Sequence, residues 1–203
     1  MGQTELTSPI GWDGGRAEVG TPAAGHYAEQ PVRPYDLLLR AGCRALIPLR
    51  SALGLRRAAA ALRHYLRGTG AAHRVDADAL LALPAVRSAA GEQLDRWRAE
   101  ALERWRDGPR TAAAYPADSG RREVELPRAW GSVDWRLALG AFEYRLTGTV
   151  RVAADGTTSA DYRFAVCTCW DAGRFARLHD VGLAKGFAVT GEAFGHVGVS
   201  AHE

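Results

Sequence analysis

Two hydrophobic periods divide the chain. Between Tyr35 and Arg106 apolar residues return every three or four positions, the spacing of helices with one buried face. Leu37, Leu38, Ala41, Ala45 and Leu46 mark the packing face of a first helix. Pro48 is expected to end it after Ile47, because proline has no N–H for the helical ladder. A second helix follows from Leu49 to Arg67 on a stripe of Leu55, Ala59, Leu62, Tyr65 and Leu66, and Gly68-Thr69-Gly70 stops it. Asp76 is placed as the N-cap of a short helix carrying Leu80, Leu81 and Leu83. From Ala85 to Arg106, Leu94, Trp97, Ala101, Leu102 and Trp105 form one continuous stripe.

Residues 108–131 contain Pro109, Pro116, Gly120 and Pro127 and predict a loop, in which only Glu123 to Leu126 alternates like a short edge strand. Beyond it the period drops to two. Phe142, Tyr144, Leu146, Gly148, Val150 and Val152 share one face of a strand, and Glu143, Arg145, Thr147, Thr149 and Arg151 share the other. Asp155-Gly156 marks a turn, after which Ser159 to Cys169 forms a second strand burying Tyr162, Phe164 and Val166. A two-residue loop would set the apolar face against Asp161 and Arg163. A three-residue loop, with Gly156 left-handed in a bulge, instead pairs Val150 with Ala160, Gly148 with Tyr162, Leu146 with Phe164 and Tyr144 with Val166. Tyr162 then lies over a residue without a side chain. A helix from Gly173 to Lys185, packing through Phe175, Leu178 and Gly182, leads to a last strand from Phe187 to Phe194.

These elements predict an α+β fold, with a helical N-terminal half (35–107) packed on a small, curved antiparallel sheet within 132–203. Residues 1–34 are aperiodic and rich in Gly, Pro, Thr and Glu, and predict a disordered arm before a single domain spanning 35–203.

Composition narrows the function classes. The formal charge of +3 comes almost entirely from arginine, Lys185 being the only lysine, as expected for a GC-rich bacterial genome. The bases alternate with acids, as in Asp95-Arg96 and Glu103-Arg104, so no nucleic-acid partner is expected. No uninterrupted apolar stretch of about 18 residues predicts a transmembrane segment. Met1 to Ile10 lacks the pattern of a signal peptide, which predicts a protein that is cytoplasmic as synthesised or exported without a cleaved signal. Cys43, Cys167 and Cys169 form no disulfide framework.

The densest polar cluster follows the second strand: Asp171, Arg174, Arg177, His179 and Asp180. A carboxylate and an imidazole at a strand-to-helix junction can bind a divalent cation or share acid–base work on a phosphate, and nearby arginines can hold anionic oxygens. The same residues also suit plainer roles, Asp171 as a helix N-cap and His179 with Asp180 on a solvated face.

Several spacings resemble a domain of actinobacterial toxin-associated proteins of unknown function. They are His64-Tyr65-Leu66-Arg67-Gly68-Thr69-Gly70, Trp135-x-x-Ala138-Leu139-Gly140-x-Phe142-x-Tyr144, Thr147-Gly148-Thr149-Val150 and Arg177-Leu178-His179-x-x-Gly182-Leu183-Ala184. The same order, over roughly 58–194, is distantly similar to the C-terminal domain of the colicin M family, which cleaves a lipid-linked peptidoglycan precursor at its phosphate. Where that family carries Asp-x-Tyr-Asp, this chain has Cys167-Thr168-Cys169-Trp170-Asp171. The resemblance implies a bacteriocin-like or polymorphic-toxin-derived domain, a degenerate metal-dependent phosphoesterase acting on a lipid-linked cell-envelope precursor. In it Asp171 and His179 would be catalytic, Asp171 would bind a divalent cation such as magnesium, and Arg174 and Arg177 would bind substrate. The alternative is a catalytically inactive module that binds a protein partner through the Arg/Trp helix.

Overall fold

The computed structural model of the chain describes residues 27–129, 131–170 and 173–198, the side chain of Arg174 excepted. Residues 1–26 of the expected arm, Asp171, and the tail from Val199 lie outside the described residues. The helices are α1 (Pro34–Ala52), α2 (Arg56–Arg67), α3 (Ala77–Leu81), α4 (Pro84–Arg106), α5 (Val133–Leu139) and α6 (Ala176–Asp180). The strands are β1 (His73–Arg74), β2 (Ala113–Glu125), β3 (Ala141–Val152), β4 (Thr158–Trp170) and β5 (Phe187–Gly198), arranged in one sheet in the order β1-β5-β4-β3-β2. The fold is α+β, as the periods predict.

The β3–β4 hairpin adopts the predicted register. Val150 faces Ala160, Gly148 faces Tyr162, Leu146 faces Phe164 and Tyr144 faces Val166. Gly156 takes φ +85°, and the loop closes through Ala153 N–H to the Thr157 carbonyl at 2.9 Å. The inward face of β3, β4 and β5 joins the helices in one apolar core that includes Leu62, Tyr65, Trp97, Phe142, Phe164 and Phe187. The outward face carries cross-strand ion pairs instead: Arg145 with Asp118, Arg151 with Asp161 and Arg163 with Glu192.

Several elements depart from the sequence expectation, among them α5, which it lacks, and α2, which starts at Arg56 and not Leu49. The sheet is mixed, because the two-residue β1 pairs parallel to β5 through His73 opposite Val189. The expected loop 108–131 contains the 13-residue strand β2. It is an edge strand, so Pro116 is tolerated opposite Thr149, and a bulge at Ser119-Gly120 interrupts its ladder between Asp118 and Arg121. The predicted helix from Gly173 to Lys185 shrinks to a 3-10 turn, Gly173–Phe175, and the five-residue α6. Gly182 at φ +72° ends it, with Leu183 and Ala184 N–H both returning to the Leu178 carbonyl.

Helix α1 differs twice. It runs through Pro48 to Ala52 and closes with Leu55 N–H on the Arg50 carbonyl at 2.8 Å. Its orientation is also rotated: of the expected face only Leu46 packs on the core, beside Leu39 and Ile47, whereas Leu37, Leu38, Ala41 and Ala45 are exposed and Asp36 and Cys43 are buried. Both faces are apolar. The one containing an acid is buried because Arg177 pairs with that acid across the fold. On α4, Trp97 is buried and Trp105 is half-buried, donating from Nε1 to the Thr111 carbonyl at 2.8 Å, so these two indoles do not form an exposed patch.

Candidate functional site

Trp170, the last residue of β4, anchors the strand end that leads into Asp171. Its indole stacks on Phe187 with centroids 5.2 Å apart and an interplanar angle of 9°, meets Tyr65 at 4.9 Å, and donates from Nε1 to the Ala138 carbonyl at 2.6 Å. Tyr65 comes from α2 and donates its hydroxyl to the Phe175 carbonyl at 2.9 Å. This aromatic cluster, with Tyr65 and Phe187 buried and Trp170 half-buried, contacts both sides of the junction: the strand before it and the 3-10 turn after it.

His179 sits in α6, half-buried. Gly186 N–H donates to its Nδ1 at 3.2 Å, which assigns the neutral ring's proton to Nε2. The imidazole packs against Tyr27 at 5.1 Å, and the Lys185 ammonium lies over the same Tyr27 ring at 4.8 Å. The backbone secures this corner further, with Ala28 N–H donating to the His179 carbonyl at 3.2 Å and Gln30 N–H to that of Asp180 at 3.0 Å. His179 and Lys185 thus share one aromatic neighbour at the end of the sheet.

Arg177 points elsewhere. Its Nε donates to Asp36 Oδ1 at 3.0 Å, its Nη2 reaches Asp36 Oδ2 and the Pro31 carbonyl, both at 3.2 Å, and its Nη1 bonds Gln30 Oε1. The Asp36 carboxylate is fully buried, and Arg33 N–H also donates to it at 2.8 Å. Hydrogen bonding from Arg177 holds the Asp36 carboxyl below the usual carboxylate range and raises Arg177 in turn. Arg177 is therefore the clamp between α6 and α1. Of the sequence candidates, His179 faces Tyr27 and Gly186 whereas Arg177 faces Asp36, and Asp171 and the Arg174 side chain lie outside the described residues.

Two histidines beside this corner escape a reading of the sequence alone. His64 in α2 and His73 in β1 have ring centroids 4.9 Å apart, and both meet Phe187, at 4.5 and 5.7 Å. His64 Nε2 donates to the Ala71 carbonyl at 2.7 Å. Burial pushes the His73 pKa down, with the nearby His64 adding to the effect. No spacing rule links residues 64, 73 and 187; they meet where α2 lies beside the parallel β1–β5 pair. Lys185 does carry a signal, as the one lysine of the chain.

Among the described residues Cys43, Cys167 and Cys169 form no disulfide, and burial raises both strand thiols. Among the described residues no three His, Cys, Asp or Glu side chains converge as a metal-binding group.

The sequence matches no protein-family model and no curated protein. Among solved structures, the chain is similar to truncated bacteriocin syringacin M from Pseudomonas syringae pv. tomato DC3000, with 14% identity over 72% of this chain and 62% of that one, and a TM-score of 0.37. It is similar to PaeM, a colicin M-like bacteriocin produced by Pseudomonas aeruginosa, with 15% identity over 72% of this chain and 52% of that one, and a TM-score of 0.41. Pectocin M2 follows with 14% identity over 86% of this chain and 65% of that one, and a TM-score of 0.33. The chain spans less than two thirds of the length of each.

Proposed function

We propose that this chain is a bacteriocin-like toxin domain that hydrolyses a phosphate ester of a lipid-linked cell-envelope precursor at the end of β4. The observation that carries the reading is the fixed imidazole of His179, whose Nδ1 is held by Gly186 N–H so that Nε2 bears the proton. Water adds to phosphorus and passes a proton to Asp171, the bond from phosphorus to the leaving oxygen breaks, and the Nε2–H of the neutral His179 donates a hydrogen bond to that oxygen, which takes its proton from solvent. Asp171, next after Trp170, would orient or activate the water and would be the residue to hold a divalent cation such as magnesium. Lys185, beside His179 on Tyr27, is better placed than Arg177 to hold the phosphate charge. Arg174 remains the second candidate for that role.

One observation favours a second reading. Engagement of Arg177 by Asp36 and Gln30 removes one of the two expected phosphate-binding arginines, as a catalytically inactive protein-binding module would allow. Incubation with lipid-linked precursor and magnesium separates the two. The hydrolytic reading expects release of the water-soluble headgroup by the native protein and loss of it in Asp171→Ala. Absence of turnover by folded native protein would leave the inactive module.

A further inference from the structure

Helix α1 turns an uninterrupted apolar face to solvent. Leu37, Leu38, Ala41, Ala45, Leu49 and Leu53 follow one another along it at helical spacing, with no charged or polar side chain between them on that face. The exposure is large: 55% for Leu37, 74% for Leu38, 54% for Leu49 and 67% for Leu53. Ordinary surface leucines are scattered singly, whereas these form a stripe along a 19-residue helix, about 28 Å at 1.5 Å per residue.

Along the α1–α2 segment itself the charge is one-sided, although Asp134 from α5 pairs with Arg57. Between Arg33 and Arg67 the chain has eight arginines and a single acid, Asp36, which is buried and paired with Arg177. That local excess exceeds the formal charge of +3 of the whole protein, so the remainder is acidic on balance. Arg44 borders the leucine stripe on α1. Arg56, Arg63 and Arg67 are exposed along α2 at i, i+7 and i+11, with no ion-pair partner among the described residues.

We propose that the α1–α2 hairpin docks on an anionic phospholipid surface, α1 lying in the plane of the interface with its leucines among the acyl chains and the arginines on the phosphates. No helix among the described residues is long and apolar enough to cross a membrane, so the hairpin lies on the surface and does not span it. Two other occupants fit less well. Protein-binding hot spots are rich in Trp, Tyr and Arg and poor in Leu, whereas the middle of this stripe is wholly aliphatic, with Tyr35 only at its end. A second copy would bring two arginine-rich hairpins face to face. The proposal rests on α1 and α2 alone and stands or falls apart from the hydrolytic reading.

Flotation of the full chain with vesicles tests it. The protein is expected to float with phosphatidylglycerol vesicles at low ionic strength and to bind phosphatidylcholine vesicles at least about tenfold more weakly. Leu38→Ser with Leu49→Ser should weaken binding to phosphatidylglycerol by about tenfold or more, because both leucines enter the acyl region. Arg56→Gln with Arg63→Gln should weaken it by roughly fivefold per arginine and flatten its salt dependence. All four side chains are exposed, so circular dichroism and Tm should stay native. Three results would each overturn the proposal: no flotation with phosphatidylglycerol, binding indifferent to the leucine change, or a concentration-dependent dimer that the leucine change dissolves.

Discussion

Helix α2 begins without a cap of its own, and that gap gives the sharpest stability prediction. Its N-cap residue is Leu55, which has no side-chain acceptor. The orphan N–H groups of Arg57 and Ala58 are taken instead by Asp134, 77 and 76 residues away, at 3.0 Å to Oδ2 and 2.9 Å to Oδ1. Replacing Asp134 by alanine removes both bonds and the favourable charge at the helix start. Loss of a side-chain cap costs about 1 kcal/mol, and the carboxylate–dipole attraction adds roughly 0.5 kcal/mol. The 3.5 Å contact with the half-exposed Arg57 guanidinium adds about 0.5 kcal/mol at most. The total is about 2 kcal/mol, or a Tm lower by about 4–8 °C for a protein of this size. Asp134→Asn keeps one acceptor oxygen and should lose about half as much. Urea unfolding followed by tryptophan fluorescence reads both variants, since Trp135 lies beneath the Arg57 guanidinium at 4.4 Å. An Asp134→Ala midpoint equal to native would refute the cross-chain cap. So would an asparagine variant weaker than the alanine one.

Two further predictions concern the sheet and its acid behaviour. A methyl group on Gly148 would collide with the Asp161 backbone carbonyl, whereas one on Gly195 meets the Tyr162 ring, 2.7 Å from Cε1. Gly148→Ala should therefore cost about 2–3 kcal/mol by urea unfolding, and Tyr162→Ala should rescue Gly195→Ala but not Gly148→Ala. His73 titrates below its ordinary 6.5 because burial disfavours the charged ring. As pH falls through 6.5 the unfolded chain therefore takes up the proton first, and stability drops. His73→Phe should narrow the difference between urea midpoints at neutral and mildly acid pH; an unchanged difference would show that His73 does not contribute.

How legible each part is follows from where its information lies. The β3–β4 hairpin can be registered to the residue, because strict alternation, a Gly at the turn and a Gly opposite Tyr162 admit one pairing. Asp76 is readable as a cap since its partner, Ala79 N–H, is three residues away. The β2 strand is not readable: its inward residues Ala113, Tyr115 and Ala117 make a weak pattern, and Pro116 and Gly120 mask an edge that tolerates both. Helix α1 reads on the wrong face for a related reason. Asp36 looks like a surface residue until Arg177, 141 residues away, is known to meet it. The candidate site shows the same division. His179 stands out by local polar density, but its tautomer depends on Gly186 and its neighbour Lys185 on Tyr27, and those contacts exist only in the folded chain.

The reaction itself gives the most direct test. Cleavage of a lipid-linked envelope precursor should be measured with the native protein and with His179→Ala at matched Tm. Loss of this hydrogen-bond donor to the leaving oxygen predicts a rate lower by roughly 10²–10³-fold with folding intact. Cleavage by His179→Ala at the native rate would contradict the account.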